Sequence, residues 1–358
     1  MESNYTLIGI MSGTSLDGID ISCTNYTYNE NTWSFELLYC KTYKYSKKVT
    51  EILKHATQLS ATELILLDKK LGEIFGNCAL LFLEEFSINK QNIHAIASHG
   101  HTIFHQPEKG FTYQIGCGTK ISILTNLAVI NDFRTKDVLL GGQGAPLVPA
   151  GDFQLFKTMA DGFLNIGGIS NISYLQDQKI QAYDICPGNI PLNQLINTTG
   201  KPYDNNGELA ASGEINELLL KELNNLGFYA QKTPKSLGVE WINDQFLPII
   251  TKNQDTVPNK LATVCAHIGI QISQIANTQN IQKLLITGGG AHNKHLISSI
   301  AKYFTGEIIL PSSKIIEFKE AIVFGFLGAL YLEKQMNCLQ DVTGASRNSC
   351  SGVLHLPN

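Results

Sequence analysis

The sequence predicts an α/β protein of two domains, on three observations. At 358 residues the chain is about twice the length of a usual single domain. Hydrophobic residues make up 43% and charged residues 16%, which supplies side chains for two cores and is too apolar for disorder. Strand-like and helix-like patterns alternate along the whole length, and a strand–glycine turn–strand segment opens each half.

The elements follow in order. Ile8–Met11, Ile19–Tyr26 and Trp33–Lys41 alternate with period two and read as an antiparallel meander. From Thr62 to Phe86, apolar residues at Leu64, Leu67, Leu71, Ile74, Phe75, Cys78, Leu81 and Phe82 follow the helical period and mark a core-facing stripe. Ile93–Ala97 and Val129–Ile130 read as short buried strands. The glycine-rich stretch Leu140–Pro146 reads as the passage into the second domain. Phe163–Tyr174 is again strand, glycine turn, strand, and Ile180–Asp184 is a third strand. Helices are expected at Ile190–Thr198, Glu214–Leu226 and Val257–Asn277. Lys283–His292 reads as strand, glycine turn and helix start, and Glu317–Glu333 as an apolar helix. Asn253–Asn259 and Gln340–Gly352 read as turn-rich surface. The expected boundaries are 1–134 plus 339–358 for the first domain, the C-terminal segment returning to it, and 135–338 for the second.

Composition removes several function classes. A net charge of −4 without a dense Lys/Arg block argues against a nucleic-acid surface. No apolar run approaches the ~20 residues of a membrane span. The polar start Met1–Thr6 has no basic or apolar leader region, so a signal peptide is not expected. The eight cysteines are scattered without a C-x-x-C pair, which fits small hydrophobes in a reducing cytosol better than a disulfide framework.

Chemistry concentrates in three glycine turns: Gly13–Gly18, Gly167–Gly168 and Gly288–Gly290. A turn rich in Gly, Ser and Thr between two strands offers a ring of backbone N–H groups suited to phosphate. Asp17 would repel phosphate unless Mg²⁺ stood between them. The same spacing also describes an ordinary hairpin with Asp17 as a turn residue. No G-x-x-x-x-G-K-[ST] occurs, so any phosphate site is not a P-loop. The third turn, at a strand end opening into a helix, suits a nucleotide base or ribose. Asp184 reads as ending its strand before Pro187-Gly-Asn189, either projecting into a cleft or capping the next helix. Arg134 is a candidate anion clamp or the cation of a salt bridge. Glu320 reads as starting a helix, where a glutamate either serves the site or complements the helix dipole. His99, His101 and His105 form H-x-H-x-x-x-H, but no Cys or carboxylate at suitable spacing completes a zinc site. Lys235 and Ser236 read as a turn, either closing over substrate or on the surface.

In this order the three turns form the pattern of the sugar kinase, heat-shock protein and actin superfamily. The chain resembles the anhydro-N-acetylmuramic acid kinases in particular. The matching segments include MSGTSLDGID (11–20), SHG (98–100), NDFRTKD (131–137), GGQGAPLVPA (141–150), NIGGISNIS (165–173), YD..PGN (183–189), PKSLG.E (234–240), TGGGAHN (287–293), EA..FG.LGA (320–329) and VTGAS (342–346). The resemblance implies a two-domain actin-like ATPase (ribonuclease H-like) fold with an interdomain cleft. It implies a kinase that uses ATP and Mg²⁺ on 1,6-anhydro-N-acetylmuramic acid, a cell-wall recycling intermediate. Such kinases open the anhydro bridge with water and phosphorylate O6, giving N-acetylmuramic acid 6-phosphate. ATP binding falls on Gly13, Thr14, Ser15, Leu16, Asp17, Gly18, Ile19 and Asp20, with Gly167, Gly168, Gly288, Gly289 and Gly290. Asp17 is the metal-side carboxylate. Asp184 matches the family's catalytic aspartate, and His99, Arg134, Asn189 and Glu320 fall to the sugar. Like its relatives, the chain is expected to be a cytoplasmic homodimer.

The chain departs from the family pattern in one group of positions. Ile185-Cys186 stands for Thr-Gly after the aspartate, Cys117 for Asp in Gln114-Ile-Gly-Cys-Gly118, and His101 for Gln. Cys186 adds a side chain and disfavours positive φ. These departures are expected near the sugar, and they keep open a kinase of a different anhydro or amino sugar. A non-catalytic sugar sensor is a further alternative, against which Asp17, Asp184 and all three glycine turns are retained. An actin- or chaperone-like ATPase leaves the anhydro-sugar motifs unexplained.

Overall fold

The computed structural model describes residues 2–13, 15–233 and 235–357. They form two compact units, one of Met1–Phe156 with Phe318–Asn358, the other of Lys157–Glu317.

In the first unit β1 (Ser3–Ser12), β2 (Ile19–Asn29) and β3 (Thr32–Tyr43) make the expected antiparallel meander. A helix over Ala61–Glu85 follows, begun by a reciprocal capping box between Ser60 and Glu63. Its stripe of Leu67, Leu71, Phe75, Ala79 and Phe82 is buried against Ile8, Ile10, Ile21 and Ile96 of the sheet. The chain then enters β4 (Ala95–Gln106), parallel to β1. β5 (Phe111–Ile115) folds back on the far end of β4, and β6 (Val129–Asn131) runs parallel to it.

In the second unit β7 (Gly162–Ile166), β8 (Ile169–Gln176) and β9 (Lys179–Pro187) form another antiparallel meander. After a helical stretch ending in the buried helix Val257–Thr278, β10 (Lys283–Thr287) pairs parallel to β7 and β11 (Glu307–Ile309) parallel to β10. Then β12 (Val353–His355) joins the first sheet, antiparallel to β6. The strand orders are β3-β2-β1-β4-β6-β12 and β9-β8-β7-β10-β11. Over five strands they are the same order, with the second strand alone antiparallel, as in ribonuclease H-like folds. The doubling suspected from the two glycine-turn hairpins is thus present strand by strand.

The contact division between units falls after Phe156 and after Glu317, where 134 and 338 were expected. The helix Val148–Leu155 packs on β3, and Phe35 meets Phe156 with ring centroids 5.1 Å apart. At the other crossing, the helix Ser313–Leu332 lies directly on β1. A Cβ on Gly9 would stand 1.9 Å from the Ala321 carbonyl oxygen, so only glycine admits the helix there. The Tyr26 hydroxyl donates to the Ile322 carbonyl at 2.6 Å from the same sheet face. The stretch 340–352 is not the surface expected of it, since Thr343, Ser349 and Ser351 are buried and hydrogen-bonded.

Candidate functional site

The expected site residues fall into two groups, one in each unit. In the first unit β1 ends at Ser12, which is buried. Its hydroxyl pairs with His101 Nδ1 at 2.9 Å and with the Tyr45 hydroxyl at 2.6 Å. His101 therefore belongs to β4 and braces the start of the glycine turn. Of the three histidines, His99 accepts from Arg134, His101 pairs with Ser12, and His105 Nδ1 pairs with the Thr112 hydroxyl at 3.1 Å. Past Ser12 the turn opens outward. Leu16 donates its N–H to the Gly13 carbonyl at 3.2 Å, and Ser15 and Asp17 are exposed. Thr14 lies outside the described residues. Ile19 is buried at the head of β2, and Asp20 accepts a hydrogen bond from the Thr42 hydroxyl.

Arg134 lies just before the short helix Thr135–Leu139. Its Nε and Nη2 both reach His99 Nε2 at 3.0 Å, and its Nη1 donates to the Gly144 carbonyl at 2.6 Å. These bonds run to an imidazole and a carbonyl rather than to the carboxylate of a salt bridge. Because arginine only donates, His99 Nε2 must be an acceptor and the ring neutral. Burial and then the Arg134 charge hold the His99 pKa well below its ordinary value, in agreement. Glu320 stands well inside the helix Ser313–Leu332, which has no acidic residue in its first turn. It therefore neither starts the helix nor serves its dipole. Its carboxylate reaches solvent but is hemmed in by protein, and the poor hydration raises its pKa. Arg134 and Lys319 pull it down, and Asp20 pushes it up. Glu320 thus feels the charges of both Arg134 and Asp20. The neighbouring Lys319 and Asp152 form a buried ion pair at 2.7 Å that sequence reading missed.

In the second unit Asp184 does not end its strand. β9 runs on to Pro187, with the register slipping where Asn171 faces Asp184 and Ser170 faces Cys186. The extra residue, Ile185, makes a bulge, a device that re-aims side chains beside sites. The next helix, Asn189–Asn197, has Gly188 as its N-cap, so Asp184 is not a helix cap. Its carboxylate instead accepts the Leu237 N–H at 2.8 Å and the Ser236 hydroxyl at 3.2 Å, while its own N–H donates to the Lys235 carbonyl. Lys235 and Ser236 therefore form the frame around Asp184, with Lys235 Nζ on the Phe228 carbonyl and 4.3 Å above the Phe228 ring. Half-buried, Asp184 has its pKa raised by desolvation, against the two hydrogen bonds that lower it. Cys186 is fully buried in the hydrophobic core, on extended strand backbone, and lies within electrostatic reach of Asp184 and Lys235, with the Ser170 hydroxyl beside its thiol. Cys117 instead lies in the first unit, before the helix Gly118–Thr125, its sulfur 3.2 Å from Lys69 Nζ.

The Gly167–Gly168 turn is tied down by main chain. Gly188 and Ile190 donate to the Gly168 carbonyl, and Asn189 donates to that of Gly167. Only glycine fits at 188, where a Cβ would sit 2.4 Å from the Gly167 carbonyl oxygen. The Asn189 amide donates to the Ile166 carbonyl at 3.2 Å and lies against Gly289. Gly288, at φ 82°, and Gly290 pack on Ile166. Two of the three glycine turns thus meet at Asn189, and Asn189 and Gly289 line a cavity of about 520 Å³ together with Tyr203, Asp204 and Asn293. Asn293 closes the TGGGAHN segment, whereas Tyr203 and Asp204 stand in no motif.

Among the described residues no helix is long and apolar enough to cross a membrane. The sequence matches the family described as anhydro-N-acetylmuramic acid kinase over residues 5–357. It is 35% identical over 375 residues to the "Anhydro-N-acetylmuramic acid kinase" of Vibrio parahaemolyticus serotype O3:K6, covering 100% of both chains. The relative of that name from Sulfurimonas denitrificans is 33% identical, covering 97% of this chain and 98% of its own. That from Legionella pneumophila (strain Corby) is 32% identical over 97% of each. Matched over nearly its whole length by the family and by relatives at 32–35% identity, the chain belongs to the anhydro-N-acetylmuramic acid kinase family.

Proposed function

We propose that this chain uses ATP to open 1,6-anhydro-N-acetylmuramic acid with water and to phosphorylate its O6, giving N-acetylmuramic acid 6-phosphate for cell-wall recycling. The observation that supports this most is Asp184. It is a half-buried carboxylate with a raised pKa, held at a strand bulge by Leu237 and Ser236. A raised pKa makes a better base, provided the group stays ionised at the working pH. Water attacking C1 of the sugar gives its proton to Asp184. O6 leaves C1 with the bond electrons and takes the γ-phosphoryl group directly, so the acceptor needs no second base. Arg134 and His99 bind the sugar, the guanidinium meeting its lactyl carboxylate. Asn189 and Glu320 complete that set.

The glycine turns Gly13–Gly18, Gly167–Gly168 and Gly288–Gly290 hold ATP by backbone N–H groups, with Ile19 and Asp20 supporting the first. Asp17 is exposed on its turn, and no closed cage of three ligands exists among the described residues. A single open carboxylate suits Mg²⁺, which is commonly held by one or two carboxylates together with phosphates. When bound, the ion would offset phosphate charge. This reading places the enzyme in the cytoplasm as a homodimer.

The test is ATP turnover with the anhydro sugar in water enriched in heavy oxygen. The expected product is a sugar phosphate carrying one heavy oxygen at C1, and Asp184→Asn should slow its formation by roughly 10²–10⁴-fold. Product without the label, or an Asp184→Asn enzyme of normal rate, overturns the reading.

A further inference from the structure

Asp137 is fully buried, yet among the described residues the hydrogen bonds to its carboxylate come from neutral donors, and the Arg134 charge acts on it only through space. The Gly144 N–H reaches Oδ2 at 2.8 Å and the Thr343 hydroxyl reaches Oδ1 at 2.8 Å. A buried carboxylate costs more than a neutral residue of the same shape unless its partners repay the desolvation, so the fold alone gives weak reason for one here. Its surroundings supply another. The Gly144 carbonyl, on the same residue that Asp137 fixes, is the acceptor of Arg134 Nη1. Two main-chain bonds join the segments: Gln143 N–H to the Thr343 carbonyl at 2.8 Å, and Ser346 N–H to the Leu140 carbonyl at 3.0 Å. The connected path therefore runs Thr343, Asp137, Gly144, Arg134, His99. Three of the five guanidinium N–H groups are used on His99 and Gly144, which leaves one each on Nη1 and Nη2 for a ligand.

We propose that Asp137 and Thr343 are positioning residues for the sugar. They fix the Gly144 carbonyl, and that carbonyl turns the Arg134 guanidinium so that its remaining N–H pair meets the sugar's carboxylate. The proposal rests on Arg134 and His99 being sugar ligands. It adds that their geometry is set by a residue 206 positions away from Asp137 in the chain. Thr343 and Asp137 touch neither sugar nor nucleotide, so their loss acts on sugar affinity and leaves ATP affinity alone.

The experiment is steady-state kinetics of the full chain, varying sugar at saturating ATP and ATP at saturating sugar. The variants are Thr343→Val, Thr343→Ser, Asp137→Asn and Arg134→Ala, with thermal melting alongside. Thr343→Val and Asp137→Asn are expected to raise the sugar KM about ten-fold, the equivalent of one hydrogen bond to a charged group. The ATP KM stays within about two-fold, well below that change. Thr343→Ser, which keeps the hydroxyl, behaves as the parent. Arg134→Ala raises the sugar KM further, and adding Thr343→Val to it changes nothing more. If Thr343→Val does not fold, Asp137→Asn, which keeps size and one acceptor, decides the matter. A lower melting temperature at unchanged sugar KM, or both KM values rising together, overturns the positioning role. An unchanged sugar KM in Arg134→Ala overturns the site reading and this proposal with it. A raised KM in that variant alone overturns only the proposal.

Discussion

The turn after β1 and the turn after β7 occupy the same place in the same strand order, yet they are held by different means. After β7, the carbonyls of Gly167 and Gly168 accept main-chain N–H groups of residues 188–190. After β1, the chain is anchored at Ser12 by the side chains of His101 and Tyr45, and beyond it Ser15 and Asp17 stand open. Main-chain anchoring depends on shape and tolerates any side chain that fits. Side-chain anchoring depends on identity. The second turn is thus vulnerable to added bulk, and the first to lost hydroxyls.

Three substitutions press on that difference. The largest effect is expected from Gly188→Ala, whose methyl would meet the Gly167 carbonyl oxygen at 2.4 Å. Backbone must shift, which costs about 1–3 kcal/mol. Because Asn189 and the Gly288–Gly290 turn share that place, ATP binding should weaken as well. Denaturant unfolding and nucleotide titration check both. If Gly188→Ala is as stable as the parent, the second turn is not anchored by close main-chain packing.

Ser12→Ala comes next. It deprives His101 and Tyr45 of their partner and should cost about 1–2 kcal/mol for the stranded polar groups. Ser12→Thr, which restores the hydroxyl, should recover part of this in the same unfolding measurement. A neutral Ser12→Ala would remove the contrast between the turns.

The smallest effect is a shift rather than a loss. Ser236→Ala removes a hydrogen bond that lowers the Asp184 pKa. The pKa then rises further above its ordinary value. A base works only when deprotonated, so the acidic limb of the kcat profile should move to higher pH while the plateau is kept. A limb that stays put, or moves down, would mean that Asp184 is not the group titrating in it.

Long periodic segments were legible in the sequence and local breaks of period were not. β1 to β3 and the helix Ala61–Glu85 carry enough repeats for the period to declare itself. β11 and β12 are three residues each, too short to show one, and β5 mixes polar and apolar residues. The Ile185 bulge adds one residue to a strand, which no alternation pattern announces, and so the alternation stops at Asp184 while β9 runs on to Pro187. Ser313-Lys-Ile-Ile316 hides the first turn of its helix behind two β-branched residues, which moved Glu320 from the interior to the start. The candidate site residues stand in motifs, whose chemistry is local. The Asp137–Thr343 contact joins residues with most of the chain between them, and only the folded sheet brings them together.

The first unit is built from two separated stretches of chain, and the second is continuous. During synthesis the second can close once Glu317 has left the ribosome. The first cannot, although most of it emerges earlier. Until the helix Ser313–Leu332 arrives, the sheet face carrying Leu7, Gly9 and Tyr26 stays bare, a sticky apolar surface awaiting its cover. The rule that the part made first folds first therefore does not serve the first unit, whose most exposed moment comes before the segment from Phe318 onward is made.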